Sequence, residues 1–142
     1  MAVAETILAI IAKHRSRKGA LLPLLHDIQN EFGYVPRQSV ALIAEALNLS
    51  RAEVHGTISF YHDFRRDPPT KPVIKLCRAE ACQARGVDGI AALFEKDDRI
   101  EVETVYCLGL CAIGPNAMLG DQPLARLDDD KVRQLIEQAV RP

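Results

Sequence analysis

The sequence predicts an α+β fold in two parts, a helical bundle over residues 1–70 and a mixed α/β domain over residues 71–142. Three observations predict it. The first half places apolar residues at helical spacing, with stop and start signals between the stripes. The second half holds short apolar runs that end at cysteines, separated by a helical stripe. Between the halves, Arg65-Arg66-Asp67-Pro68-Pro69-Thr70-Lys71-Pro72 carries three prolines within five positions, which no helix continues through.

In the first half, Val3, Ile7, Ile10 and Ile11 share one helical face over 3–14. Leu21, Leu24, Leu25 and Ile28 do the same over 20–32, and Gly33 is a C-terminal stop. Pro36 opens the next helix, through Val40, Ile43 and Leu47. Ser50-Arg51-Ala52-Glu53 is a capping-box pattern that starts a helix running to about Phe64. In the second half, Val73-Ile74-Lys75-Leu76 is a short strand ending at Cys77. Val87, Ile90, Ala91 and Phe94 form a helical stripe over 86–96. Residues 100–105 alternate apolar and polar as a half-buried strand ending at Cys107. Residues 117–119 and 123–127 flank Gly120-Asp121-Gln122 as a hairpin. Asp128-Asp129-Asp130 places acid at the start of a last helix, where the helix dipole favours it. The order is β-α-β-β-β-α. A strand, crossover helix and strand form a parallel right-handed unit, which is the plan of a small thioredoxin-like domain.

Composition narrows the function. Of 142 residues, 48% are hydrophobic and 26% charged, so the chain is globular rather than disordered. No apolar stretch reaches the ~18–20 residues of a membrane span. The N-terminal stretch has its charges after its apolar residues, the reverse of a secretory leader, so a cytoplasmic location is expected. The formal net charge of −1 argues against a generally basic nucleic-acid binder. Residues 1–70 hold all four histidines, with 8 basic and 7 acidic residues; residues 71–142 hold all four cysteines, with 10 basic and 12 acidic.

The cysteines carry the chemistry. Four residues separate Cys77 from Cys82, three separate Cys107 from Cys111, and 24 lie between the pairs. Each pair follows the end of an expected strand, so parallel neighbours would deliver both pairs to one sheet edge. Four thiolates suit a soft metal centre, and a [2Fe–2S] cluster takes four cysteines, two on each iron. Gly109 lets the backbone wrap closely and aim N–H groups at sulfur. Structural zinc favours tighter C-x2-C knuckles, disulfides suit exported chains, and a thioredoxin-type dithiol needs C-x-x-C. The second half offers no histidine for a Rieske centre. Spacing alone favours iron–sulfur over zinc, disulfides or inert core cysteines.

Val73-Ile74-Lys75-Leu76-Cys77, Cys82, Cys107-Leu108-Gly109-Leu110-Cys111 and Gly114-Pro115-Asn116 together resemble the thioredoxin-like [2Fe–2S] ferredoxins. Phe32-Gly33-Tyr34-Val35-Pro36 and Val54-His55-Gly56-Thr57-Ile58-Ser59-Phe60-Tyr61 extend the likeness over most of residues 20–140. That family includes the 24 kDa-type subunit of complex I (NADH:quinone oxidoreductase), its equivalent in NAD-reducing hydrogenases, and the gamma subunit of NAD-dependent formate dehydrogenase. The resemblance implies a helical bundle and a cluster domain that dock onto an FMN- and NAD-binding partner subunit. It makes Cys77, Cys82, Cys107 and Cys111 the iron ligands. The tight gap between cysteine pairs and the compact chain look most like the formate dehydrogenase gamma subunit. In such a complex, formate is oxidised at a molybdenum cofactor and NAD+ reduced at flavin, both on partner subunits that also hold further iron–sulfur clusters. This chain would carry no bond-making chemistry itself. Its cluster would sit at the flavin end as a side store or tuning centre.

Other features have blander readings. Ala41 to Phe64 has the look of a helix-turn-helix, but Arg51, Glu53, His55, His62 and Asp63 make no basic stripe, so bundle packing is expected over DNA binding. An iron–sulfur-regulated DNA-binding protein is the reading of a different class. His55 and His62, seven apart on one helical face, read as surface or interface residues rather than a metal pair. Phe60, Tyr61 and Phe64 read as core or docking residues. Arg65-Arg66 and Lys13 to Lys18 read as solvated faces, with partner docking the sharper reading. Gly114-Pro115 precedes an expected strand at a place where thioredoxin-like folds often hold a cis proline, set against the rarity of cis bonds overall.

Overall fold

The computed structural model describes residues 2–142 and divides between Pro69 and Thr70 into a helical unit and a sheet unit. Among the described residues, no helix is long and apolar enough to cross a membrane.

The helical unit is built from α1 (Val3–His14), α2 (Leu21–Phe32), α3 (Ser39–Leu47) and α4 (Arg51–Phe60). Its core is the apolar stripe of each helix: Ile7, Ile10 and Ile11; Leu24, Leu25 and Ile28; Ile43; Val54 and Ile58. Each large side chain buried there contributes roughly 1.5–3 kcal/mol. Val3, expected on that stripe, is 39% exposed and lies beyond the patch. Gly33 stops α2 in the left-handed conformation at φ 78°, which an L side chain resists. Helix α3 starts at Ser39, after a turn at Pro36 whose carbonyl accepts from the buried Ser39 hydroxyl. The capping box forms as the sequence indicates: the Ser50 hydroxyl accepts from the Glu53 amide at 3.1 Å, and the Glu53 carboxylate accepts from the Ser50 amide at 2.8 Å.

Helix α4 ends at Phe60, four residues short of the expected Phe64. A continuous helix would carry Phe64 away from the Val54–Ile58 stripe. The chain instead turns, and Phe64 becomes 7% exposed. Gln29 stabilises the turn by accepting from the Arg65 amide at 2.6 Å. His62 therefore does not share a helical face with His55, because it lies outside α4.

The sheet unit has four strands in the order β2-β1-β3-β4. Strands β1 (Val73–Cys77) and β2 (Glu101–Val105) are parallel, in register from Val73 with Glu101 to Cys77 with Val105. Helix α6 (Val87–Glu95) supplies the crossover, burying Val87, Ile90, Ala91 and Phe94. Strands β3 (Ala117–Leu119) and β4 (Gln122–Leu124) form an antiparallel hairpin, with β3 also antiparallel to β1. Helix α7 (Asp129–Val140) buries Val132, Leu135 and Ile136, and the Asp128 side chain accepts from the Lys131 amide at 2.9 Å. Two short elements were not expected: α5 (Glu80–Ala84), a helix that begins three residues after β1, and a single 3-10 turn over Cys111–Ile113. The Gly114–Pro115 peptide bond is cis.

Candidate metal centre

Parallel pairing of β1 and β2 places Cys77 opposite Val105, so both cysteine segments leave the same edge of the sheet. The Arg78 amide donates to the Val105 carbonyl at 2.9 Å and extends that pairing past Cys77. Helix α5 carries Cys82 back beneath the edge. Cys77 and Cys82 are each 2% exposed, whereas Cys107 and Cys111 are exposed. All four are free thiols. The arrangement thus has a buried pair and a solvent-facing pair.

The two segments touch. The Cys107 amide donates to Cys77 Sγ at 3.3 Å. The Gly109 amide donates to Cys107 Sγ at 3.4 Å, and Cys107 Sγ lies 3.6 Å from Cys111 Sγ. The loop achieves this with Cys107 at φ 72° and Gly109 at φ 78°. Glycine adopts that conformation freely, but cysteine does so at a cost, so surrounding structure must hold Cys107 there.

The thiols are electrostatically unequal. Burial pushes Cys77 up, but the Ala79 and Cys107 amides, the Cys82 thiol and the Leu108 amide outweigh it and bring Cys77 below the usual thiol range. Burial pushes Cys82 up; the Asn116 amide opposes this, while Cys77 and Cys111 reinforce it. The hydrogen bond from Cys111 to Cys107, then the charge of Cys107, raise Cys111. Crowded thiols disfavour one another's ionisation, a cost that cations at the site would remove. Among the described residues, no three Cys, His, Asp or Glu side chains converge on a single ion.

Two residues of the site carry no signal of their own in the sequence. A Cβ at Gly114 would lie 3.1 Å from Cys82 Sγ. Gly114 is glycine because the chain passes against that sulfur. Asn116 is 1% exposed and stitches three segments together. Its carbonyl accepts from the Cys77 amide at 3.1 Å, its Nδ2 donates to the Leu110 carbonyl at 3.1 Å, and its amide faces Cys82. Its Oδ1 is buried without a hydrogen-bond partner. The Gly114-Pro115-Asn116 run was visible as part of a motif; only tertiary packing shows what its members touch.

Comparison with known proteins gives this edge a family. The sequence profile of the thioredoxin-like [2Fe–2S] ferredoxins matches residues 7–140. The chain belongs to that family. Membership implies a [2Fe–2S] cluster. The chain is 28% identical, over 131 residues, to the HndA subunit of an NADP-reducing hydrogenase from Solidesulfovibrio fructosivorans, covering 84% of this chain and 77% of that protein. It is 30% identical over 131 residues to a subunit of the NADH-quinone oxidoreductase of Escherichia coli (strain K12), covering 84% of this chain and 79% of that protein. Among solved structures, an NAD+-reducing [NiFe]-hydrogenase in the air-oxidised state superposes with a TM-score of 0.69 at 27% identity over 84% of this chain. The match spans only 22% of that hydrogenase chain.

Proposed function

We propose that Cys77, Cys82, Cys107 and Cys111 bind one [2Fe–2S] cluster, and that the chain is an electron-transfer subunit beside an FMN- and NAD-binding partner in a multi-subunit NAD-linked oxidoreductase. The observation that carries this is the meeting of two thiol pairs at the tips of neighbouring parallel strands. The donor set fits: four thiols in two pairs meet the requirement of two cysteines per iron. When bound, such a cluster supplies one-electron transfer. The chain's own residues do the rest. Cys77 and Cys82 anchor the inner side under the α5 backbone, while Cys107 and Cys111 form the outer edge, where an electron can be exchanged with a partner. The amides of Cys107 and Gly109 aim at sulfur, and such N–H···S bonds stabilise added negative charge. No side chain here is assigned a bond-making role.

The finer reading is an NAD-dependent formate dehydrogenase, whose molybdenum cofactor, flavin and further clusters reside on other subunits. It rests on the 24-residue gap between the cysteine pairs, which suits the compact gamma-type subunits. A second reading, an NAD(P)-linked hydrogenase or complex I, is favoured by the names of the similar proteins. Purifying the whole complex through this chain, and assaying it for formate-dependent and hydrogen-dependent NAD+ reduction and for NADH–quinone turnover, separates them. Formate-dependent turnover is expected; turnover with hydrogen alone, or NADH–quinone activity alone, would overturn the formate reading and leave the cluster assignment standing.

A further inference from the structure

The helical unit contains an open cavity of about 650 Å3 whose charged lining is three arginines, Arg37, Arg51 and Arg66, with His55 beside them and a floor of Val40, Ala41 and Ala52. The three arginines come from separate segments, the turn before α3, the first residue of α4, and the loop after α4. Arg51, His55 and Ser59 recur every four residues along α4 and so share a stripe. Arg66 lies along that stripe, its Nη2 donating to Ser59 Oγ at 2.9 Å and meeting His55 Nε2 at 3.1 Å. Some arginines pair with carboxylates, Arg78 with Asp88 at 2.7 Å, Arg99 with Asp97 and Glu137 at 2.8 Å, and Arg133 with Asp130 at 2.9 Å, while Arg15, Arg17, Arg85, Arg126 and Arg141 form no such salt bridge among the described residues. Among the described residues, no carboxylate forms a salt bridge with Arg37, Arg51 or Arg66. Like charges gathered around one cavity repel, and the repulsion is relieved when an anion enters.

From this geometry we infer that the Arg37–Arg51–Arg66 cavity docks an acidic segment of the flavin-binding partner subunit, receiving Asp or Glu carboxylates. This rests on the reading of the chain as such a subunit. Guanidinium groups grip carboxylates through paired N–H donors, and the apolar floor accommodates the methylene stems. Two observations select a protein over other anions. The cavity is open, whereas small-ligand sites enclose most of their ligand. At the end of the same helix, Phe60 is 73% exposed and Tyr61 42% exposed, and aromatic residues together with arginine are what protein interfaces concentrate. Nucleic acid fits less well, because residues 1–70 carry only 8 basic against 7 acidic residues.

The test uses the full chain and the flavin-binding subunit of the same complex. Affinity is measured between 50 and ~500 mM salt, a range over which screening of exposed charges changes several-fold. Wild type is compared with R37Q/R51Q/R66Q and with R15Q/R17Q/K18Q, which removes as many charges from the loop after α1. The cavity variant is expected to bind the partner at least tenfold more weakly at low salt and to lose most of the salt dependence. The control is expected to match wild type, and melting of the isolated cavity variant is expected to stay unchanged. Equal binding by wild type and cavity variant, or equal weakening by the control, would overturn the inference while leaving the proposed function intact. So would an unchanged partner affinity alongside arginine-dependent binding of inorganic phosphate or duplex DNA. A wild-type chain that fails to bind any flavin-binding subunit would overturn the proposed function, and this inference with it.

Discussion

Gly114→Ala isolates how tightly the chain is packed around one thiol. Gly114 has φ −68° and ψ 169°, a conformation that alanine adopts without strain, so backbone cost is absent. The new methyl carbon would lie 3.1 Å from Cys82 Sγ and 3.3 Å from Arg85 Cδ. The arginine carbon belongs to an exposed, flexible side chain and can move aside. The sulfur cannot move as easily, since Cys82 is 2% exposed within the core of the sheet unit. Non-bonded carbon atoms sit about 3.5–4.0 Å apart and sulfur is larger, so the thiol must shift by roughly 0.5 Å. Overpacking of this kind costs about 1–3 kcal/mol, and stiffening the unfolded chain returns roughly 0.4–1 kcal/mol. The net expectation is a loss of about 0.5–2 kcal/mol, which at roughly 4–8 °C per kcal/mol is readable in a thermal melt. Because the displaced atom is a proposed ligand, the visible and EPR spectra of the iron-loaded chain should also change. Gly89→Ala is the matched control: it lies inside α6 with nothing within 4 Å of its added carbon, and should stabilise by roughly 0.5–1 kcal/mol. A Gly114→Ala chain with wild-type melting and wild-type spectra would refute the claim that Gly114 is reserved for the sulfur.

Other predictions address the rest of the site and the electrostatics. Cys82→Ser and Cys111→Ser should each weaken or retune the centre, because an alkoxide is a poor substitute for thiolate; unchanged absorption and EPR signals in either variant would remove that cysteine from the ligand set. Asn116→Ala removes the donor to the Leu110 carbonyl and leaves a small void, and should lower denaturation stability by about 1–2 kcal/mol; an unchanged midpoint would contradict its stitching role. Side-chain and backbone hydrogen bonds from Arg99 hold Asp97 at a pKa of about 2 against a usual 3.8. A depressed carboxylate stabilises the fold above its ordinary pKa and loses that contribution as pH falls toward 2. An NMR titration of its carboxyl should show the low midpoint, and one near 3.8 would refute the pairing.

Much of the architecture was legible because it depends on local patterns. The stripes of α1, α2 and α6, the capping box at Ser50–Glu53 and the glycine stop at Gly33 are properties of a dozen residues at a time. What escaped depended on packing across the sequence. The early end of α4 follows from Phe64 reaching the core by a turn that Gln29 supports, 36 residues away in the chain. Helix α5 is five residues long, too short for any periodic signal. At the site, strand ends and cysteine spacing were enough to bring the two thiol segments to one edge. The contact of Gly114 with Cys82 and the bridging by Asn116 are set by a third segment arriving there, which no spacing rule encodes. The basic cavity was equally hidden, since Arg37, Arg51 and Arg66 read singly as solvated charges until the bundle brings them together.

The most direct test of the account is the iron and acid-labile sulfide content of the purified chain, read together with its reduced-state EPR signal. Two irons and two sulfides per chain, with a spin-half signal that is lost when Cys77, Cys82, Cys107 and Cys111 are replaced together by Ser, is the predicted result. A colourless chain holding a single zinc, or one whose thiols are joined as disulfides, would contradict it.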